Sequence, residues 1–128
     1  MWSCRLVLLV LLVGALTGCQ NKSKQSAGGS MATPSEQDVA SIRARYQHMN
    51  PDNRVGVVTA VLPQSKLAAI GDLPLQDFAI GDVLTFIDAR EQPFNTGVVV
   101  NATASALHVK YDASRRAPRE GDLAVRLR

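Results

Sequence analysis

Cysteine is nearly missing from this chain. Its 128 residues hold two, Cys4 and Cys19, so residues 20–128 contain none. Everything after Cys19 is thereby denied a disulfide framework, a thiolate nucleophile and a cysteine metal site. Aromatic residues are also scarce, at 5%: Trp2, Tyr46, Tyr111, Phe78, Phe86 and Phe94. None stands among the clustered arginines near the C-terminus, so stacking on nucleic-acid bases is not expected. The two histidines, His48 and His108, are far apart and do not make a zinc site. No Gly-x-Ser-x-Gly elbow, His-Glu-x-x-His helix or phosphate loop is present, and we expect no metal or other cofactor. Acidic residues are absent before residue 35, and the net charge of +3 is too mild to mark a nucleic-acid binder. The longest apolar run, Leu6–Leu16, has 11 residues. A membrane-crossing helix needs about 20. The remaining length suits one small domain.

What is present begins with a leader. Met1–Arg5 is a short, singly basic segment, and Leu6–Leu16 has the length of a signal-peptide apolar region. Leu16-Thr17-Gly18-Cys19 follows directly. This string resembles the lipobox of bacterial lipoproteins. The resemblance implies cleavage before Cys19, a diacylglyceryl thioether on its sulfur and acylation of the new amine, with palmitate-like chains. More than one chain is needed, because a single acyl chain anchors only reversibly. Residues 1–18 are then the signal peptide and residues 19–32 a lipidated N-terminus and flexible linker. Gln20, in place of the aspartate that retains such proteins in the inner membrane of enterobacteria-like cells, implies the outer membrane, facing the periplasm. Gln20–Ala32 is rich in Ser, Gly, Lys and Gln and has almost nothing to bury. Such a coil spans about 20 Å. Lys22 and Lys24 beside the anchor read as solvated.

A helix is expected over residues 33–50. Thr33-Pro34-Ser35-Glu36 has the form of a capping box with proline at the first helical position. Val39, Ile42, Tyr46 and Met49 recur at helical spacing and form one apolar stripe, read as packing on the domain's own core. Pro51 ends the helix, because the residue before proline disfavours helical backbone angles.

From residue 54 to 128 the periodicity is that of strands. Arg54–Leu62 is apolar on both faces and should be covered on both sides. Lys66–Ile70, Asp82–Asp88, Phe94–Ala102 and Ala106–Tyr111 follow. In the last of these Leu107, Val109 and Tyr111 should point inward. Leu123, Val125 and Leu127 are expected inward against Ala124, Arg126 and Arg128. The fold class is therefore mainly β, a small six-stranded barrel preceded by one amphipathic helix.

The chain also repeats itself. Gly56-Val57-Val58 recurs as Gly97-Val98-Val99, at an offset of 41; Leu67 recurs as Leu107 and Gly81-Asp82 as Gly121-Asp122, both at 40. The barrel should thus consist of two related three-strand halves around a pseudo-twofold axis. Each glycine of a Gly-Asp pair suits a tight turn, and each aspartate can accept from a nearby backbone N–H. Gly81, Asp82, Gly121 and Asp122 are read as structural turn residues. An acid–base enzyme using Asp82 and Asp122 is the less favoured alternative, and no catalytic residue is assigned. The paired Gly-Asp pattern resembles the GD-box of cradle-loop barrels, although loops 71–80 and 112–120 are shorter than the helix-bearing loops of that family. Residues 54–128 also resemble SH3-like barrel modules of bacterial envelope proteins, such as the C-terminal module of the flagellar assembly T protein; neither resemblance carries a functional residue over.

Arg115, Arg116 and Arg119 form a basic cluster around Pro118, to which Arg126 and Arg128 can add. Arginine's planar fork suits carboxylates and phosphates. The cluster is the candidate contact patch. The chain is expected to be a non-enzymatic lipoprotein, anchored at Cys19, that meets a protein or an anionic envelope partner such as a lipid headgroup, lipopolysaccharide or cell-wall polymer. A peptidoglycan-binding module is the alternative, and would need exposed aromatic rings.

Overall fold

The computed structural model describes residues 33–128. The leader, the lipobox with Cys19 and the linker lie outside the described residues. No helix among those described is long and apolar enough to cross a membrane.

One helix, α1 (Glu36–Met49), precedes six strands: β1 (Arg54–Leu62), β2 (Leu67–Gly71), β3 (Val83–Ile87), β4 (Pro93–Ala102), β5 (Leu107–Tyr111) and β6 (Leu123–Arg126). Every strand pair is antiparallel, and the sheet closes in the order β1-β2-β5-β4-β3-β6. Closure leaves no free edge. The only helical element between strands is a short 3-10 turn at Leu75–Asp77, so loop 71–80 does not carry the helix of GD-box barrels.

The cap of α1 differs from expectation. Ser35, not Thr33, is the N-cap: its hydroxyl accepts from the Asp38 amide and the Asp38 carboxylate accepts from the Ser35 amide. Pro34 therefore precedes the cap. The Ser35 bonds also hold the Asp38 carboxyl below its ordinary pKa. Val39, Ile42 and Tyr46 pack on the barrel wall, whereas Met49 is exposed, because the chain turns away at Asn50-Pro51.

Two cores result. The lumen is filled by Val58, Ala68, Ile70, Leu84, Phe86, Val99, Leu107, Val109, Tyr111 and Ala124. The second lies outside the barrel, where Val39 and Ile42 cover Val55, Ile87, Leu123 and Val125. This corrects the reading of β6. Leu123 and Val125 face the helix, Ala124 faces the lumen, and Leu127 is exposed. Alternation alone does not say which apolar face is the lumen when both faces are covered.

The halves are interlocked. Exchanging β1 with β4, β2 with β5 and β3 with β6 maps the strand order onto itself. Bulges fall at matching places, between Val58 and Ala60 in β1 and between Val99 and Asn101 in β4. Gly56 and Gly97 are lumen positions with no room for a side chain. A Cβ on Gly56 would lie 2.6 Å from Leu73 Cγ, and one on Gly97 would collide with Val109 and stand 3.0 Å from the Lys110 carbonyl oxygen.

Candidate functional site

The two Gly-Asp pairs build matching turns. Gly81 and Gly121 have φ of 100° and 92°, a region that glycine enters without strain. The Gly81 amide donates to the Val99 carbonyl and the Val99 amide to the Asp82 carbonyl, both at 2.8 Å. In the other half Gly121 donates to Val58 at 2.9 Å and Val58 to Asp122 at 2.8 Å. Each half thus fastens its turn to the first strand of its twin.

The aspartate side chains do parallel work. Asp82 Oδ2 accepts from the Ala79 amide at 3.0 Å, and Asp122 Oδ2 from the Arg119 amide at 2.8 Å. Each carboxylate also holds one guanidinium: Arg126 Nη1 lies 3.2 Å from Asp82, and Arg116 Nη2 lies 3.1 Å from Asp122. The far face of each guanidinium meets a ring, Phe78 at 4.2 Å for Arg126 and Phe94 at 3.7 Å for Arg116. Both rings pack on the lumen core. The Ala79 amide, with Arg126 beside it, lowers the Asp82 carboxyl pKa from its ordinary value. The carboxylates sit in separate loops, each engaged by its own turn and its own arginine.

This arrangement divides the basic cluster. Arg116 turns inward, and its backbone carbonyl accepts from Asn95 Nδ2 at 2.8 Å. Arg126 is buried at the opposite end of β6. Arg128 is exposed, with its amide on Asn53 Oδ1 at 3.0 Å. Only Arg115 and Arg119 extend from loop 112–120 into solvent, and Arg115 faces Asp112 at 3.6 Å. Arg116 is therefore held by the fold, its side chain 23% exposed beside Asp122. Sequence spacing could not separate it from its neighbours, because Asp122 and Phe94 are placed by tertiary structure.

A groove missed by sequence reasoning runs between α1, loop 72–77 and the β4–β5 turn. It encloses about 830 Å³ and is lined by Arg43, Arg54, Asp72, Asp77, Leu73 and Pro74 among others. Its charges are mutually paired, Arg43 with Asp72 at 2.7 Å and Arg54 with Asp77 at 2.8 Å. Arg43 also donates to the Val55 carbonyl, tying the helix to β1. No group of metal-ligating side chains occurs among the described residues. No described aromatic ring is fully exposed either, since Phe86 and Tyr111 are buried and Phe78 and Phe94 lie under arginines.

No family model matches the chain, and no curated protein matches it in sequence.

Proposed function

We propose that this protein is a non-enzymatic, lipid-anchored lipoprotein of the bacterial envelope whose small barrel serves as an interaction module. The observation that carries the reading is Leu16-Thr17-Gly18-Cys19 directly behind an 11-residue apolar run. Cys19 is the anchor, residues 20–32 the tether, and the outer membrane facing the periplasm the favoured site. Support for a non-catalytic role comes from the engagement of both Gly-Asp carboxylates in their own turns and arginines. The cluster Arg115, Arg116 and Arg119 is the candidate contact for an anionic partner, with Arg115 and Arg119 its fully exposed members.

Replacing Cys19 by Ala in cells tests the anchor. The protein should leave the membrane fraction and lose fatty-acid labelling. Labelling unchanged from wild type overturns the reading.

A further inference from the structure

The two ends of the lumen are closed by different chemistry. On β1 and β6 the lumen-facing rows run out to Arg54, two before Gly56, and Arg126, two beyond Ala124. These arginines stand directly opposite each other in register. Their counterparts, at offsets of 41 and 40, are Asn95 and Phe86, also a register pair. There the Asn95 amide is satisfied: it donates to the Asp112 and Arg116 carbonyls and accepts from the Thr96 and Asp112 amides. One guanidinium, Arg116, adjoins that end and is matched by Asp122. A neutral pair therefore suffices to close the barrel. The opposite end keeps two arginines instead, although like charges directly opposite on paired strands are unfavourable.

Arg54 and Arg126, joined by Arg128, Asp52 and Asp77, line a polar pit of about 230 Å³ at this mouth. A guanidinium carries five N–H donors. Arg54 uses Nε on Asp77 Oδ2 at 2.8 Å and Nη1 on the Pro51 and Asn53 carbonyls at 2.6 and 3.0 Å. Arg126 uses Nη1 on the Asp77 carbonyl and on Asp82 Oδ2. Its side chain is 7% exposed, and its Nε is buried with no partner. Among the described residues none accepts from Nη2 of either arginine, and none from the Arg128 guanidinium. Asp77 and Asp82 balance the charge of Arg54 and Arg126, which leaves Arg128 against the exposed Asp52. The resident carboxylates thus neutralise the two deeper arginines without using up their donors.

We infer that this mouth is a binding site for a single carboxylate group, taken by Nη2 of Arg54 and Arg126 and by Arg128. Charge-assisted bonds from a guanidinium to a carboxylate are short and directional, so a site of balanced charge still selects such a group. A monoanion suits the pit better than phosphate does, because Asp52 and Asp77 line the same space and would repel a second negative charge. Asp52 yields Arg128 to the incoming group. The site lies apart from Arg115 and Arg119 and goes beyond the contact surface already proposed. It does not depend on the anchor at Cys19.

The test uses the full chain, with isotope-labelled arginine, in nanodiscs of phosphatidylcholine, so that no anionic lipid competes. Sodium acetate is exchanged for sodium chloride at neutral pH and constant ionic strength, and the arginine Nε–H resonances are followed. The Arg126 signal should shift saturably with acetate and not with chloride. Arg128→Gln changes an exposed side chain and should weaken acetate about tenfold, the loss of one charged hydrogen bond. Asp52→Asn frees Arg128 and should tighten acetate about threefold. Acetyl-trialanine with a free C-terminus, if it binds more tightly than acetate, assigns the carboxylate to a peptide end; equal affinity assigns it to a small free acid. Shifts matched by chloride, affinity unaltered in Arg128→Gln, or inorganic phosphate binding more tightly than acetate would overturn the inference. Acetate binding lost with Arg115→Gln or Arg119→Gln but kept in Arg128→Gln would move the anion to loop 112–120 and overturn it equally.

Discussion

Arg126 and Asp82 stand 44 positions apart, and Nη1 of the one donates to Oδ2 of the other over 3.2 Å. Arg126 is buried and has few other partners: the Asp77 carbonyl and the face of Phe78. Removing the carboxylate strands a desolvated cation. Asp82→Ala should therefore cost about 3 kcal/mol, in the range of broken buried pairs. Urea unfolding at neutral pH measures it. A loss within the range of an exposed substitution would mean that Arg126 finds another counter-charge.

The same carboxylate gives an acid dependence of defined sign. Its folded pKa lies below the ordinary 3.8, chiefly through the Ala79 amide. Its contribution is therefore whole above the ordinary value and fades as pH falls through the lower folded one. Wild type should lose stability on acidification below about pH 4 more steeply than Asp82→Ala. Unfolding midpoints collected from pH 6 to pH 2.5 in both proteins decide it; parallel curves would place the acid sensitivity elsewhere.

Within loop 112–120, charge reversal should separate neighbours. Arg115→Glu and Arg119→Glu alter exposed side chains and should change stability by less than about 0.5 kcal/mol. Arg116→Glu would set a carboxylate against Asp122 and remove the cation stacked on Phe94. It should cost about 2 kcal/mol or more. Thermal melts of the three variants rank them directly. Partner capture lost with Arg116→Glu below its melting temperature would make Arg116 a contact residue as well as a fold residue.

Much of this fold could be read from the residue pattern, and the exceptions have physical causes. Strand positions follow from β-branched runs between turn residues; β1 is covered on both faces only over its first half, where Val55, Gly56 and Val58 are buried, while Thr59 and Leu62 are exposed beyond the reach of the helix. The repeat was legible because its glycines are sterically required: Gly56 and Gly97 have no room for a Cβ, and Gly81 and Gly121 have positive φ. The cap was misplaced by two residues, since Thr33 and Ser35 offer the same hydroxyl and only backbone geometry chooses between them. The fate of Arg116 was illegible, because its partners Asp122 and Phe94 are brought to it by β6 and β4. Cys19 and the residues around it are legible only as sequence.

The paired glycines allow the contact between the chain before α1 and the barrel to be isolated. Gly81→Ala and Gly121→Ala impose the same backbone penalty of about 1 kcal/mol, since both have positive φ. Gly121→Ala adds a collision with Thr33, whereas Gly81→Ala meets nothing within 4 Å among the described residues. Gly121→Ala should thus be the more destabilising by about 1 to 2 kcal/mol. In a Thr33→Gly background the colliding side chain is gone, and the two alanine variants should cost the same. A double-mutant cycle by urea unfolding reads the coupling between Thr33 and Gly121 free of the strain common to both glycines. Zero coupling would mean that the segment before Ser35 leaves the barrel surface in solution, and that the resident helix is held without it, by Val39, Ile42, Tyr46, Arg43 and the Arg45–Glu91 pair.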